Sequence, residues 1–184
     1  RVEVDNMYGY MAPSGKEIIK TQYEDAQEKL NSSLIKVTSG EQDAFINRKG
    51  QVVLGWYNDI RFSPSRGFGK VVKNEKSAIA TTYGQTVSKW YDYMGYSSEG
   101  LIPVEIDNKE GYVNNAGVEV IPPRYDAISD FYEGLAVAEL NDKAFLLDRN
   151  GKKVTQEYDK IAGPDDGRYL VQKDDKYGYL NLKG

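Results

Sequence analysis

One phrase returns through this chain at almost constant spacing: an apolar anchor in a short strand, followed five residues later by glycine. The anchors are Tyr10, Phe45, Ile79, Tyr112, Leu146 and Tyr179, separated by 35, 34, 33, 34 and 33 residues. The paired glycines, Gly15, Gly50, Gly84, Gly117, Gly151 and Gly184, keep the same spacings. A period of this size marks copies of one supersecondary unit, none of which can bury its apolar face without a neighbour. The 184 residues therefore do not count domains in the ordinary way, because stability is shared along an array as unit and interface terms.

Aligned on the turn glycine, each copy reads as three short strands. In the most regular stretch, Leu135-Ala136-Val137-Ala138-Glu139-Leu140 leads through a polar turn at Asn141-Asp142 into Ala144-Phe145-Leu146-Leu147-Asp148. Arg149-Asn150-Gly151 then turns the chain into Lys153-Val154-Thr155. Short apolar runs separated by Asn, Asp and Gly are hairpin signals, so the unit is a three-stranded antiparallel meander. Seven or eight residues after the glycine comes a tyrosine with an acid close behind: Tyr23-Glu24-Asp25, Tyr57-Asn58-Asp59, Tyr91-Asp92, Tyr125-Asp126 and Tyr158-Asp159. That pair suits a corner, the ring packing on the next unit and the carboxylate tying its own turn. Ile121-Pro122-Pro123, just before Tyr125, fits a strand end.

The expected fold is thus all-β, tandem meanders over approximately residues 1–30, 31–65, 66–98, 99–132, 133–166 and 167–184, the last partial. An open twisted stack is preferred to a closed propeller-like ring, whose blades usually have four strands and periods of about 40 residues or more. Between units Gln27–Asn31 has room for one helical turn. The sixth unit lacks a third strand, which leaves an edge open to pairing. The expectation is that the natural chain continues or that another segment fills the gap.

Composition narrows the function. Net charge is −4, and the basic cluster Arg61, Arg66, Lys70, Lys73 and Lys76 is diluted by Asp59 and Glu75, so no nucleic acid is expected. No apolar run approaches the ~18 residues of a membrane span. Without cysteine there are no disulfides or thiolate metal sites. Without histidine the usual general base and the commonest metal ligand are missing. No nucleophile elbow or phosphate loop is present, so no catalytic residue, cofactor or metal is expected. The chain begins at Arg1 without a signal peptide, which reads as a removed leader or a piece of a longer protein.

The run from Lys109 to Asp126, with Gly111-Tyr112-Val113, Gly117, Ile121-Pro122-Pro123 and Tyr125-Asp126, resembles the WG (KWG) repeat, a β-rich repeat. Phe131-Tyr132-Glu133-Gly134-Leu135-Ala136 continues the resemblance. It extends over essentially the whole chain, strong in the fourth copy and degenerate in the second and third. The signature Trp-Gly is Tyr8-Gly9 and Tyr177-Gly178 here, and Trp56 and Trp90 sit elsewhere in the repeat. The resemblance implies a repeat found mostly in bacterial proteins, often exported or surface-attached, with no established catalytic residues.

Fifteen tyrosines are the main candidates for function. Anchors such as Tyr10, Tyr112 and Tyr179 are expected in cores and seams. Trp90, Tyr91, Tyr93, Met94 and Tyr96 form an aromatic cluster that, if exposed, marks a binding surface. The expected role is non-enzymatic protein–protein binding by an extracytoplasmic scaffold. The alternatives are a carbohydrate or cell-wall module and a structural spacer.

Overall fold

A computed structural model describes residues 1–28, 33–63, 67–81 and 83–181. Most of the helical turn expected over Gln27–Asn31, Arg66 of the basic cluster and the glycine Gly184 lie outside the described residues. The described residues form strands and turns, with no helix.

Six small antiparallel sheets follow one another along the chain, and none closes on itself. Sheet I holds β1 (Val2–Val4), β2 (Met7–Met11) and β3 (Glu17–Tyr23). Sheet II holds β4 (Asp25–Ala26), β5 (Leu34–Ser39), β6 (Gln42–Asn47) and β7 (Val52–Tyr57). Sheet III holds β8 (Asp59–Ser63), β9 (Phe68–Lys73) and β10 (Lys76–Thr81). Sheet IV holds β11 (Tyr93–Met94), β12 (Leu101–Ile106), β13 (Lys109–Asn114) and β14 (Glu119–Tyr125). Sheet V holds β15 (Ala127–Ile128), β16 (Leu135–Leu140) and β17 (Lys143–Asp148). Sheet VI holds β18 (Lys160–Asp165), β19 (Arg168–Lys173) and β20 (Lys176–Asn181).

The repeat is therefore all-β, and it contains one strand more than the hydrophobic pattern suggested. A strand of two to six residues follows each corner tyrosine and starts the next sheet, as where Asp25 pairs with Thr38 and Ala26 with Val37. Where the strand has only two residues, as at Asp25–Ala26, Tyr93–Met94 and Ala127–Ile128, it is too short for alternation to reveal. The strand expected after Gly84 is reduced to the bridge Ala80–Thr86, and the one after Gly151 to bridges Leu147–Lys153 and Ala144–Tyr158.

Turn chemistry sets the register. Asp5-Asn6, Asn74-Glu75, Asp107-Asn108, Asn141-Asp142 and Asp174-Asp175 all take positive φ, as two-residue hairpin turns require. Each of Gly15, Gly50, Gly84, Gly117 and Gly151 sits at φ +77° to +84° and donates its N–H to the carbonyl three residues earlier. Only glycine adopts that backbone cheaply, which is why the spacing of these residues survives where the rest of the repeat drifts.

The chain divides into two compact bodies, Arg1–Trp90 and Tyr91–Gly184. In the first, Tyr10, Ile19 and Tyr23 of sheet I pack against Ile35, Val37, Ala44 and Ile46 of sheet II. Sheet II turns its other face, Leu34, Phe45, Leu54 and Tyr57, to Ile60, Val71, Ala78 and Ala80 of sheet III. In the second body Tyr112, Ile121 and Tyr125 of sheet IV meet Ala136, Ala138, Phe145 and Leu147 of sheet V. Leu135, Val137 and Leu146 of sheet V meet Ile161, Tyr169 and Val171 of sheet VI. Within each body, each sheet thus buries apolar side chains against the next, the repeat logic read from the sequence.

Candidate functional site

Seams between sheets take most of the tyrosines. Tyr10, Tyr23, Tyr57, Tyr91, Tyr112, Tyr125, Tyr158 and Tyr169 are buried. Two anchors span a seam with their hydroxyls: Tyr10 donates to the Gln27 carbonyl at 2.5 Å and Tyr112 to the Ser129 carbonyl at 2.9 Å, each seventeen residues on. Burial pushes both phenols up, for Tyr10 against the opposing pull of Arg1 and for Tyr112 reinforced by Asp130 and Glu110. Corner rings meet across the same seams, Tyr23 tilted against Trp56 at 6.4 Å, Tyr57 tilted against Trp90 at 6.3 Å and Tyr125 edge-on to Phe145 at 6.0 Å.

Three of the five corner acids tie the following sheet rather than their own turns. Asp92 accepts the N–H of Asp107, Asp126 that of Asn141 and Asp159 that of Asp174, at 2.8–3.0 Å. Fifteen residues separate donor and acceptor, so each carboxylate clips the hairpin turn of the sheet it introduces. Lys109 closes the clip on Asp126 and Lys143 the clip on Asp159, at 2.5 and 2.6 Å. Asp25 and Asp59 keep local bonds, from the Ala26 N–H and from the Arg61 guanidinium. The lysine contact, then the backbone N–H, holds Asp126 and Asp159 below the usual carboxylate range.

The division between the bodies falls between Trp90 and Tyr91 of the aromatic cluster. In the first body Trp90 is half-buried on Tyr57 and lines a shallow pocket of about 470 Å³ with Lys73, Asn74 and Lys76. In the second, Tyr91 and Met94 are core residues, 0% and 2% exposed. The Tyr91 hydroxyl donates to Glu119 at 2.9 Å, and burial, with that hydrogen bond, raises its pKa. Tyr93 and Tyr96 point outward, 55% and 81% exposed, from the segment that begins sheet IV. Burial thus sorts the five residues into packing and surface roles that their contiguity in sequence had merged.

Three further features emerge only in three dimensions. A cleft of about 510 Å³ between sheets V and VI is lined by Asp126, Asp142, Asp159, Lys143 and Lys160 among others. Asp126 and Asp159 among them are already engaged in the corner clips. Tyr169 is 1% exposed and its hydroxyl has no hydrogen-bond partner, the one such buried side-chain atom among the described residues. Desolvation raises its pKa, with Tyr132, Glu133 and Glu99 adding to the shift. The third is β20, where Tyr177 and Tyr179 are 70% and 71% exposed although Tyr179 occupies the anchor position that is buried as Tyr10 and Tyr112. The signal available in sequence was the identity of Tyr177-Gly178-Tyr179 with Tyr8-Gly9-Tyr10. Among the described residues no three acidic side chains come together to hold a metal ion, and no helix is long and apolar enough to cross a membrane.

The family comparison points the same way as the repeat pattern. The family model described as WG containing repeat matches residues 90–109, 111–143 and 145–177. No protein of curated function matches the sequence. Among solved structures the chain is similar to Hsv2 of Kluyveromyces lactis, at 12% identity and a TM-score of 0.38, over 89% of this chain and 63% of that one. It is similar to a eukaryotic initiation factor at 14% identity and a TM-score of 0.38, over 88% of this chain and 53% of that one. The chain spans less than two thirds of the length of both.

Proposed function

This chain carries WG-containing repeats, and we propose that it works as a non-enzymatic protein-interaction scaffold. The observation that supports this reading is the split among its tyrosines. Eight lie buried in the sheets, while Tyr83, Tyr93, Tyr96, Tyr132, Tyr177 and Tyr179 stand 46–82% exposed. Large aromatic side chains held out from strands and turns offer contact area at low entropic cost, the property that makes tyrosine common at interfaces. Tyr93 and Tyr96 are the primary contact residues in this reading. Catalysis, a cofactor and nucleic acid have no part in it. An extracytoplasmic setting belongs to the same proposal and rests on the family resemblance.

The test is site-directed photo-crosslinking with a benzoyl-phenylalanine at position 96, in the natural host's own envelope and secreted fractions. A discrete protein adduct, lost when Tyr93 is changed to Ser, supports the scaffold. A smear, or no adduct, or one indifferent to Tyr93→Ser, overturns it. A glycan-binding reading draws on one specific observation, the half-buried indole of Trp90 in a shallow pocket with Lys73 and Asn74. A glycan-array signal abolished by Trp90→Ala would establish that reading in place of the first.

A further inference from the structure

Sheets I, II and IV each finish on a full third strand, β3, β7 and β14. Among the described residues no strand pairs with the outer edge of any of the three. These edges are open because the chain leaves each corner tyrosine, Tyr23, Tyr57 and Tyr125, directly for the first strand of the next sheet. Sheets III and V cover the corresponding edge with an irregular segment. There the hydroxyls of Ser88 and Thr155 accept the N–H groups of Ile79 and Leu146, and Val87 and Val154 donate to the carbonyls of the same two residues. An open row of N–H and C=O groups is a template for a further strand, and proteins blunt it with charge, lysine above all, or with proline.

Two of the three edges are blunted. Register puts Glu17 opposite Met11, Val52 opposite Ile46 and Glu119 opposite Val113, so these three positions are equivalent. Ile19, Leu54 and Ile121 are equivalent in the same way, facing Tyr10, Phe45 and Tyr112. From there to the corner tyrosine, β3 runs through Lys20-Thr21-Gln22 and β14 through Pro122-Pro123-Arg124. β7 has only Gly55-Trp56. It therefore carries valine where the other two carry glutamate, and it has neither a cation nor a proline. Val52 is 48% exposed. Gly55 does not have positive φ, and a Cβ there would meet nothing within 4 Å, so neither backbone conformation nor crowding inside this chain demands glycine. Glycine inside a strand suits a place where another backbone comes close.

We propose that the outer edge of β7 is an interface between two copies of this chain, joined by antiparallel pairing of β7 with β7 about a two-fold axis. Charge selects the occupant. Paired with itself, Val52–Tyr57 meets no charged residue and no missing N–H donor. The equivalent edges of a second copy fit less well: β3 would set Glu17 and Lys20 against an apolar strand, and β14 would bring Glu119, Arg124 and two prolines. Main-chain hydrogen bonds supply the affinity of such an edge contact. The two-fold uses each edge once, so the assembly closes at two copies. A strand of six residues makes a small interface, so the dimer is weak and reversible. The inference goes beyond the scaffold reading and does not rest on it.

Sedimentation velocity of the full 184-residue chain tests this. Monomer at about 1 μM should give way to dimer by about 300 μM. Val52→Glu restores the acid of the blunted edges, and Gly55→Lys restores the cation of β3. Each should weaken the dimer at least roughly tenfold and leave the circular dichroism spectrum unchanged, since Val52 is exposed and the space around Gly55 is open. Hydrogen exchange at the Val53–Tyr57 amides should slow with rising concentration in the wild type and not in the variants. A wild type still monomeric at about 300 μM overturns the proposal. So does a dimer that survives both substitutions, or growth beyond two copies. Substituting Tyr93 and Tyr96 should leave the dimer intact, so the failure of one surface is told apart from the failure of the other.

Discussion

Sheets IV and VI carry nearly the same phrase, Gly111-Tyr112 and Gly178-Tyr179, and treat it in opposite ways. In sheet IV the tyrosine is 1% exposed, its ring edge-on to Phe131 at 5.1 Å and its hydroxyl bonded to Ser129 across the seam. In sheet VI it is 71% exposed. In sheet IV the glycine lies tight under the backbone of Ile121 and Pro123, and in sheet VI a Cβ in its place would meet only a Val171 methyl at 3.8 Å. The difference does not lie in how firmly sheet VI is attached. Asp159 and Lys143 clip its β19–β20 hairpin as Asp126 and Lys109 clip the β16–β17 hairpin of sheet V. It lies in what covers the sheet. A repeat residue thus has no fixed role: the neighbour decides whether an anchor tyrosine is core or surface.

The largest expected effect tests the crowded side of this contrast. Gly111→Val should cost more than about 3 kcal/mol, because the new Cβ displaces backbone rather than the end of a flexible side chain. Gly9→Val should behave alike. Chemical denaturation followed by circular dichroism measures the loss, and hydrogen exchange should show it concentrated in β13 and β14. A cost near about 1 kcal/mol would mean that the bulged strand β14 yields.

A pair of single-oxygen deletions sharpens the comparison at the next level. Tyr112→Phe removes a seam hydrogen bond and strands the Ser129 carbonyl, for an expected loss of about 1–2 kcal/mol. Tyr169→Phe removes a buried hydroxyl that has no partner, so stability should hold or rise by up to about 1 kcal/mol. Equal losses in the two variants would show that Tyr169 has a partner in solution, an ordered water being the simplest.

Acid should act on both seams of the second body alike. Asp126 and Asp159 have folded pKa values below the ordinary 3.8, so their contribution is complete above about pH 4 and is lost as pH falls through the depressed values. Both carboxylates are solvent-accessible, so salt screens the effect and it stays small. Thermal melts between pH 5 and about pH 2 should flatten in the double variant Asp126→Asn/Asp159→Asn, and high salt should flatten the wild-type curve too. A slope unchanged by the substitutions would place the acid sensitivity elsewhere.

What the sequence made legible follows from these energies. Turn glycines at positive φ and hairpin Asn-Asp pairs are dictated by backbone sterics, so they kept their spacing and disclosed the repeat. Anchors Tyr10 and Tyr112 were readable because a meander has little else to bury. The corner strands were not, since two residues such as Ala127–Ile128 carry no periodicity. The targets of Asp126 and Asp159 were hidden because a carboxylate's acceptor role is plain in sequence while a donor fifteen residues away is a product of sheet stacking. Trp90 to Tyr96 looked like one patch because alternation across a strand sends neighbours in sequence to opposite faces, Met94 inward and Tyr93 outward.

The smallest expected effect is the most informative. Gly178→Val places a β-branched residue in a strand interior at ordinary φ, with one methyl at 3.8 Å as its nearest neighbour. Strand preference favours valine over glycine, and nothing nearby resists it. Its stability should stay within about 0.5 kcal/mol of wild type, or rise, where the same substitution at Gly111 is ruinous. Two identical changes at equivalent repeat positions would then differ only in the strand that lies over one of them. If Gly178→Val proves as damaging as Gly111→Val, the strand lying over Gly111 is not what makes glycine necessary at this repeat position.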